Sequence, residues 1–91
     1  MLDNNTKRAL MQFPSPFRLR VFGLDADDFA VFVLLLVRRH VPELNEDSID
    51  SKPSHGGKYL AVRVSFTAES REQLDAIYRE LSGHERVLFV L

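Results

Sequence analysis

"DADDFAVFVLLLVRRH", residues 25–40, decides between two folds. The run from Phe29 to Val37 is unbroken hydrocarbon, rich in β-branched and aromatic residues, and alone it passes for a buried strand. Its flanks argue otherwise. Asp25, Asp27 and Asp28 precede it and Arg38, Arg39 and His40 follow, the charge order that suits a helix macrodipole, while Pro42 closes the segment. Asp25 is placed to cap the N-terminus. A helix therefore fits both the length and the charged ends, and the neighbouring segments fall into order around it.

Upstream, "FPSPFRLRVFG", residues 13–23, alternates Phe17, Leu19 and Val21 with Arg18, Arg20 and Phe22. That is a half-buried strand, entered through Pro14 and Pro16, which cannot sit inside a ladder, and stopped by Gly23. Downstream, "EDSIDSK", residues 46–52, has Ile49 as its sole apolar residue and reads as a polar edge strand. "PSHGGK", residues 53–58, is a hairpin turn in which Gly56 and Gly57 supply positive φ. In Tyr59 to Thr67, Leu60, Val62, Val64 and Phe66 face one way and Tyr59, Ala61, Arg63 and Ser65 the other, the pattern of a central strand. Ser70 and Gln73 form a capping box ahead of Leu74, Ile77, Tyr78 and Leu81, so a second amphipathic helix is predicted, ending at Gly83. "RVLFVL", residues 86–91, is the last strand. Residues 1–12 are expected to form a flexible arm, and residues 13–91 one domain.

The order β-α-β-β-α-β predicts an α+β ferredoxin-like sandwich: a four-stranded antiparallel sheet, strand order 4-1-3-2, with both helices on one face. Arg18, Arg20 and Arg63 then share the uncovered face with Phe22 and Tyr59, and Lys52 joins them from the edge. An uncovered face has to be solvated, and long cationic side chains do that well. The sharper alternative is a ligand-binding or partner-binding surface built of guanidinium forks and rings. On the first helix, Phe29, Phe32, Val33, Leu36 and Val37 form a sheet-facing stripe, which leaves Val31, Leu34 and Leu35 on other sides. With Leu88 and Val90 of an unusually apolar final strand, these three are the expected association surface for a homodimer or protein partner.

The 91 residues are 45% hydrophobic and 27% charged, an ordinary globular composition without cysteine. Disulfides and thiolate metal sites are thereby excluded, and a reducing cytoplasm fits. The longest apolar run is too short to span a bilayer, so a soluble chain is expected. A net charge of -1 provides no whole-molecule field toward nucleic acid. His40, His55 and His84 have no metal-ligand spacing and are expected to be exposed, and no serine sits in a nucleophile elbow. "GLDADD", residues 23–28, puts three carboxylates where acylphosphatases of this fold cradle phosphate. Neither catalysis nor a cofactor is expected. An RNA-binding role for the open face has Tyr59 in its favour, but Ala61 stands where a second stacking ring is wanted. It ranks below a regulatory or protein-interaction module.

"FPSPFRLRVFG", "KPSHGGKYLAVRV" and "IYRELSGHERVLFVL" together resemble the YbeD-like DUF493 or UPF0250 family of small bacterial proteins of unknown function. The resemblance runs from Phe13 to Leu91, with Phe13-Pro14, Gly23, Lys52-Pro53-Ser54, Gly57, Tyr59 and Val90-Leu91 as its markers. It implies a ferredoxin-like fold similar to ACT regulatory domains, modules that often bind amino acids between paired copies, and it implies no activity. Where the family usually has Ser-Lys or Ser-Arg, this chain has His55-Gly56, so no role for a basic residue in that turn carries over. Likeness of fold does not supply function.

Overall fold

The alternation around Arg18 and Arg20 produces β1 (Ser15–Leu24), and the ambiguous apolar run is helical, α1 (Phe29–Arg38). A 3₁₀ turn (Glu46–Ser48), β2 (Ile49–Pro53), β3 (Tyr59–Ala68), α2 (Arg71–Ser82) and β4 (Val87–Val90) follow. This is a computed structural model, and it describes residues 11–54 and 56–91. Most of the expected N-terminal arm, and His55, lie outside the described residues. The strands form one antiparallel sheet in the order β2-β3-β1-β4, which is 4-1-3-2 counted from the other edge. The fold is ferredoxin-like.

The core lies between the sheet and the helices. Leu19, Val21, Val62 and Val64 of the central strands pack with Phe29, Val33, Leu36 and Val37 of α1 and Ile77 and Leu81 of α2. Leu34, predicted to lie outside the core, belongs to it at 9% exposure, and Val90 packs against it. Both expectations are corrected for a physical reason. Val41 and Leu44, beyond α1, join the same cluster, so the buried arc of the helix is wider than one stripe. Val90 pairs with inward-facing Val21, and its side chain follows that register toward the helices.

The start of α1 also differs from expectation. The cap position is Asp28, whose side chain makes no capping hydrogen bond, and none of the three aspartates lies in the first turn. β1 runs through Gly23 to Leu24, leaving residues 25–28 to reverse the chain, and the reversal needs positive φ at Asp27 (53°) and Asp28 (54°). Aspartate tolerates that region better than most side chains. Arg86 braces the turn by donating from Nη2 to the carbonyls of Ala26 and Asp27, each at 2.8 Å. Its guanidinium also lies 4.8 Å from the centre of the Phe32 ring. At the other end only Arg38 is in the last turn, and Arg39 and His40 lie beyond it.

Gly23 is not a stop signal. It sits inside β1 at a register shift against β4, where a Cβ would be 2.4 Å from Phe29 Cζ and 2.7 Å from the Arg86 carbonyl oxygen. The residue is small because a ring and a backbone approach it together. Pro16, predicted to lie outside any ladder, pairs with Thr67. Arg20 exchanges both backbone hydrogen bonds with Leu91, at 3.0 and 2.9 Å, so the even residues of β1 turn their N–H groups away from β3. The donor that Pro16 lacks thus falls on the side that β4 does not reach, and the ladder with β3 loses nothing.

Ser70 Oγ accepts from Gln73 N at 3.1 Å, half of the predicted box. Gln73 Oε1 accepts from Glu69 N at 2.8 Å, one residue earlier than a standard box, and Gln73 Nε2 donates to the His40 carbonyl at 2.9 Å. One side chain thereby starts α2 and ties it to the end of α1. In the β2–β3 turn, Gly56 and Gly57 take φ of 91° and 74°, as the hairpin requires.

Candidate functional site: the open sheet face

The pairing register lays the uncovered face out in rows across the strands. Tyr59 lies beside Leu24, and the next row runs Lys52, Ala61, Phe22, Phe89. Then come Asp50, Arg63, Arg20 and Leu91, and after them Ser65 beside Arg18. Alternation places these side chains on the side away from the helices. Arg18, Arg20, Phe22, Lys52, Tyr59 and Arg63, the six open-face residues singled out from sequence, share this surface.

One half of the surface is apolar. Phe22 and Phe89 stack across β1 and β4 with ring centres 4.3 Å apart and planes at 15°. Around them Leu24 is 50%, Leu88 54% and Phe89 51% exposed, with Leu91 and Tyr59 also open to solvent. Beside the stack, Phe22, Lys52, Pro53, Tyr59 and Ala61 line a shallow hollow of about 290 Å³. The rings stand on adjacent strands with faces turned to each other, so they present edges and outer faces rather than a flat platform.

The other half is cationic. Arg63 Nε donates to Asp50 Oδ1 at 2.9 Å and its Nη2 to Oδ2 at 3.2 Å, a two-pronged pair in the open. Arg20 lies directly opposite Arg63, an arrangement of like charges that Asp50 partly offsets. Arg18, Arg20 and Lys52 make no ion pair among the described residues. A chain with a net charge of -1 therefore concentrates positive charge on this face.

Sequence reasoning missed Leu24, Phe89, Leu91 and the Asp50 partner. It put Leu88 and Val90 together at the surface, but only Leu88 is exposed. The bulge at Gly23 hid the register, and parity counted from the chain end cannot find it. On α1 the predicted trio shrinks to Val31 and Leu35, one turn apart and both exposed. The described histidines are not the solvated groups expected: each is half-buried and has partners. His40 Nε2 and Arg39 both meet the Glu80 carboxylate. His84 lies against the Phe32 ring at 4.5 Å and accepts from Arg86 N at 3.1 Å. Among the described residues no three His, Asp or Glu side chains gather as metal ligands, and no helix is long and apolar enough to cross a membrane.

Residues 8–91 match the model of a family described as "Protein of unknown function (DUF493)". The "UPF0250 protein" of Leptothrix cholodnii is 40% identical over 91 residues and that of Janthinobacterium sp. 41%, each alignment covering 100% of both chains. That of Hahella chejuensis is 36% identical over the same length. The solution structure of protein HP0495 from H. pylori is similar at a TM-score of 0.71 with 16% identity, covering 100% of this chain and 96% of that one. At that identity the likeness is one of fold.

Proposed function

The chain belongs to the DUF493 (UPF0250) family, and from the composition of its uncovered sheet face we propose that it is a non-enzymatic protein-interaction module that docks through that face. The observation that carries this is the contiguous strip Leu24, Phe22, Phe89, Leu91, edged by Arg18 and Arg20, which make no ion pair among the described residues. Contiguous apolar surface rimmed by polar groups marks interaction sites, whereas scattered single residues do not. Side chains already about half buried would each gain roughly 1 kcal/mol by full burial. Four or five of them support a reversible association rather than a permanent one.

Nucleic acid fits less well. Base stacking needs ring faces laid open on the central strands, and here the Phe22 ring is turned onto Phe89 while Ala61 lies on its other side. A small ligand in the hollow beside Lys52 would be a narrower form of the same idea, closer to ACT-like behaviour, but that hollow is shallow and offers one cation.

The test is in-cell photo-crosslinking with benzoylphenylalanine placed singly at Leu91, at Val31 on the outer side of α1, and at Glu72, exposed in the first turn of α2. Discrete adducts are expected from Leu91 and not from the other two. Adducts confined to Val31 would move the docking surface to the helix and end this reading.

A further inference from the structure

Building on that reading, we infer that the occupant of the open face is an amphipathic helix of a partner protein, apolar along most of one side and carboxylate-bearing in the turns that meet Arg18 and Arg20. The charge distribution identifies it. Among the described residues the face offers Arg18, Arg20 and Lys52 without ion-pair partners, and its one acidic side chain there, Asp50, is already held by both prongs of Arg63. Whatever buries the Phe22–Phe89 strip lies next to the arginines in the following two rows and has to bring negative charge to them.

A second copy meets these needs poorly. Face to face, it brings another set of arginines and another engaged Asp50. Its α1 is a better match, with Val31 and Leu35 exposed one turn apart and Asp27 and Asp28 at the end. Helix-on-sheet contact between copies is head-to-tail, however, and such contacts extend into growing assemblies unless a ring closes. An added strand is the wrong shape, because Phe89 and Leu91 lie in the face rows beside Phe22 and Arg20 and not along the outer edge of β4. A helix is what already covers the opposite face of this sheet. From Leu24 to Arg18 is six residues of β1, roughly 20 Å, or about four turns of helix.

The probe is a fluorescein-labelled peptide of about 18 residues, roughly 27 Å as a helix. It carries Glu in its first two turns and Leu along the same side of the rest, and its twin has Lys for Glu. Anisotropy titrations of the full chain should show the Glu peptide binding and weakening as salt rises, with the twin about tenfold weaker. Arg18→Ala/Arg20→Ala should lose about tenfold for the Glu peptide and little for the twin. Amide shifts should move in β1, β3 and β4 and not on the helical side.

Equal binding of the two peptides, indifference to the arginine variant, or binding of neither overturns the acidic-helix occupant. If Leu91 still crosslinks in cells in that case, docking through the face stands and only the occupant is wrong. Concentration-dependent growth of the protein alone in sedimentation, abolished by Val31→Ser/Leu35→Ser, would instead make a second copy the occupant and overturn the proposal.

Discussion

Replacing Gly23 by alanine should destabilise the fold through a single added methyl. The new Cβ would stand 2.4 and 2.5 Å from two atoms of the Phe29 ring and 2.7 Å from the Arg86 carbonyl oxygen. Ordinary contact is about 3.5–4 Å, so the overlap is roughly 1 Å on both sides. The ring has little freedom to retreat: Phe29 is 2% exposed, with the Phe32 ring 5.8 Å away and the Arg86 guanidinium 5.7 Å away, centre to centre. Overpacking of this kind costs about 1–3 kcal/mol. Against it, Gly23 has no positive φ, so alanine fits the backbone and should return about 0.4–1 kcal/mol by restricting the unfolded chain. The clash wins by about 1–2 kcal/mol, a fall in Tm of roughly 5–15 °C for a domain of this size. Urea unfolding followed by circular dichroism should show a lower midpoint with unchanged slope. Phe29→Leu in the same chain should restore part of the loss, a favourable coupling of about 0.5–1 kcal/mol between neighbours. An alanine variant as stable as the parent, or strict additivity of the pair, would refute the steric account.

The two leucines in the middle of α1 should separate cleanly: Leu34→Ala is expected to cost about 2–5 kcal/mol and Leu35→Ala within about 0.5 kcal/mol, as read by thermal melts. Ser70→Ala should cost about 1 kcal/mol for the lost cap. Gln73→Ala keeps that cap, which uses the backbone N–H, but frees Glu69 N–H and the His40 carbonyl; it should cost about 1–2 kcal/mol, and hydrogen exchange should quicken at Glu69. Asp50→Ala removes an exposed ion pair, so unfolding free energy should change by less than about 1 kcal/mol. The same substitution frees Arg63 and should tighten the Glu peptide a fewfold, which titration would reveal.

Strand order and the helical state of Phe29–Arg38 were legible because alternation, charged ends and turn chemistry agreed with one another. The Phe29–Val37 run alone was ambiguous, and its flanks resolved it. What escaped was whatever depends on two segments meeting. Gly23 looked like punctuation, since nothing local announces that Phe29 and the backbone of Arg86 converge on it. Asp25 looked like a cap until the length of β1 pushed the turn onto Asp27 and Asp28. For the same reason the cationic half of the open face could be read from β1 and β3 alone, while Phe89 and Leu91 required the bulged register of β4.

Pro16 has a bearing on solubility. Among the described residues, no strand pairs with the outer margin of β1 beyond Arg20, a place where sheets of separate molecules can zip together. With its amide nitrogen locked in a ring, Pro16 denies an incoming chain the contact it would need there, and Arg18 beside it adds charge. Fibre growth is discouraged at that margin while the broad side of the sheet stays available.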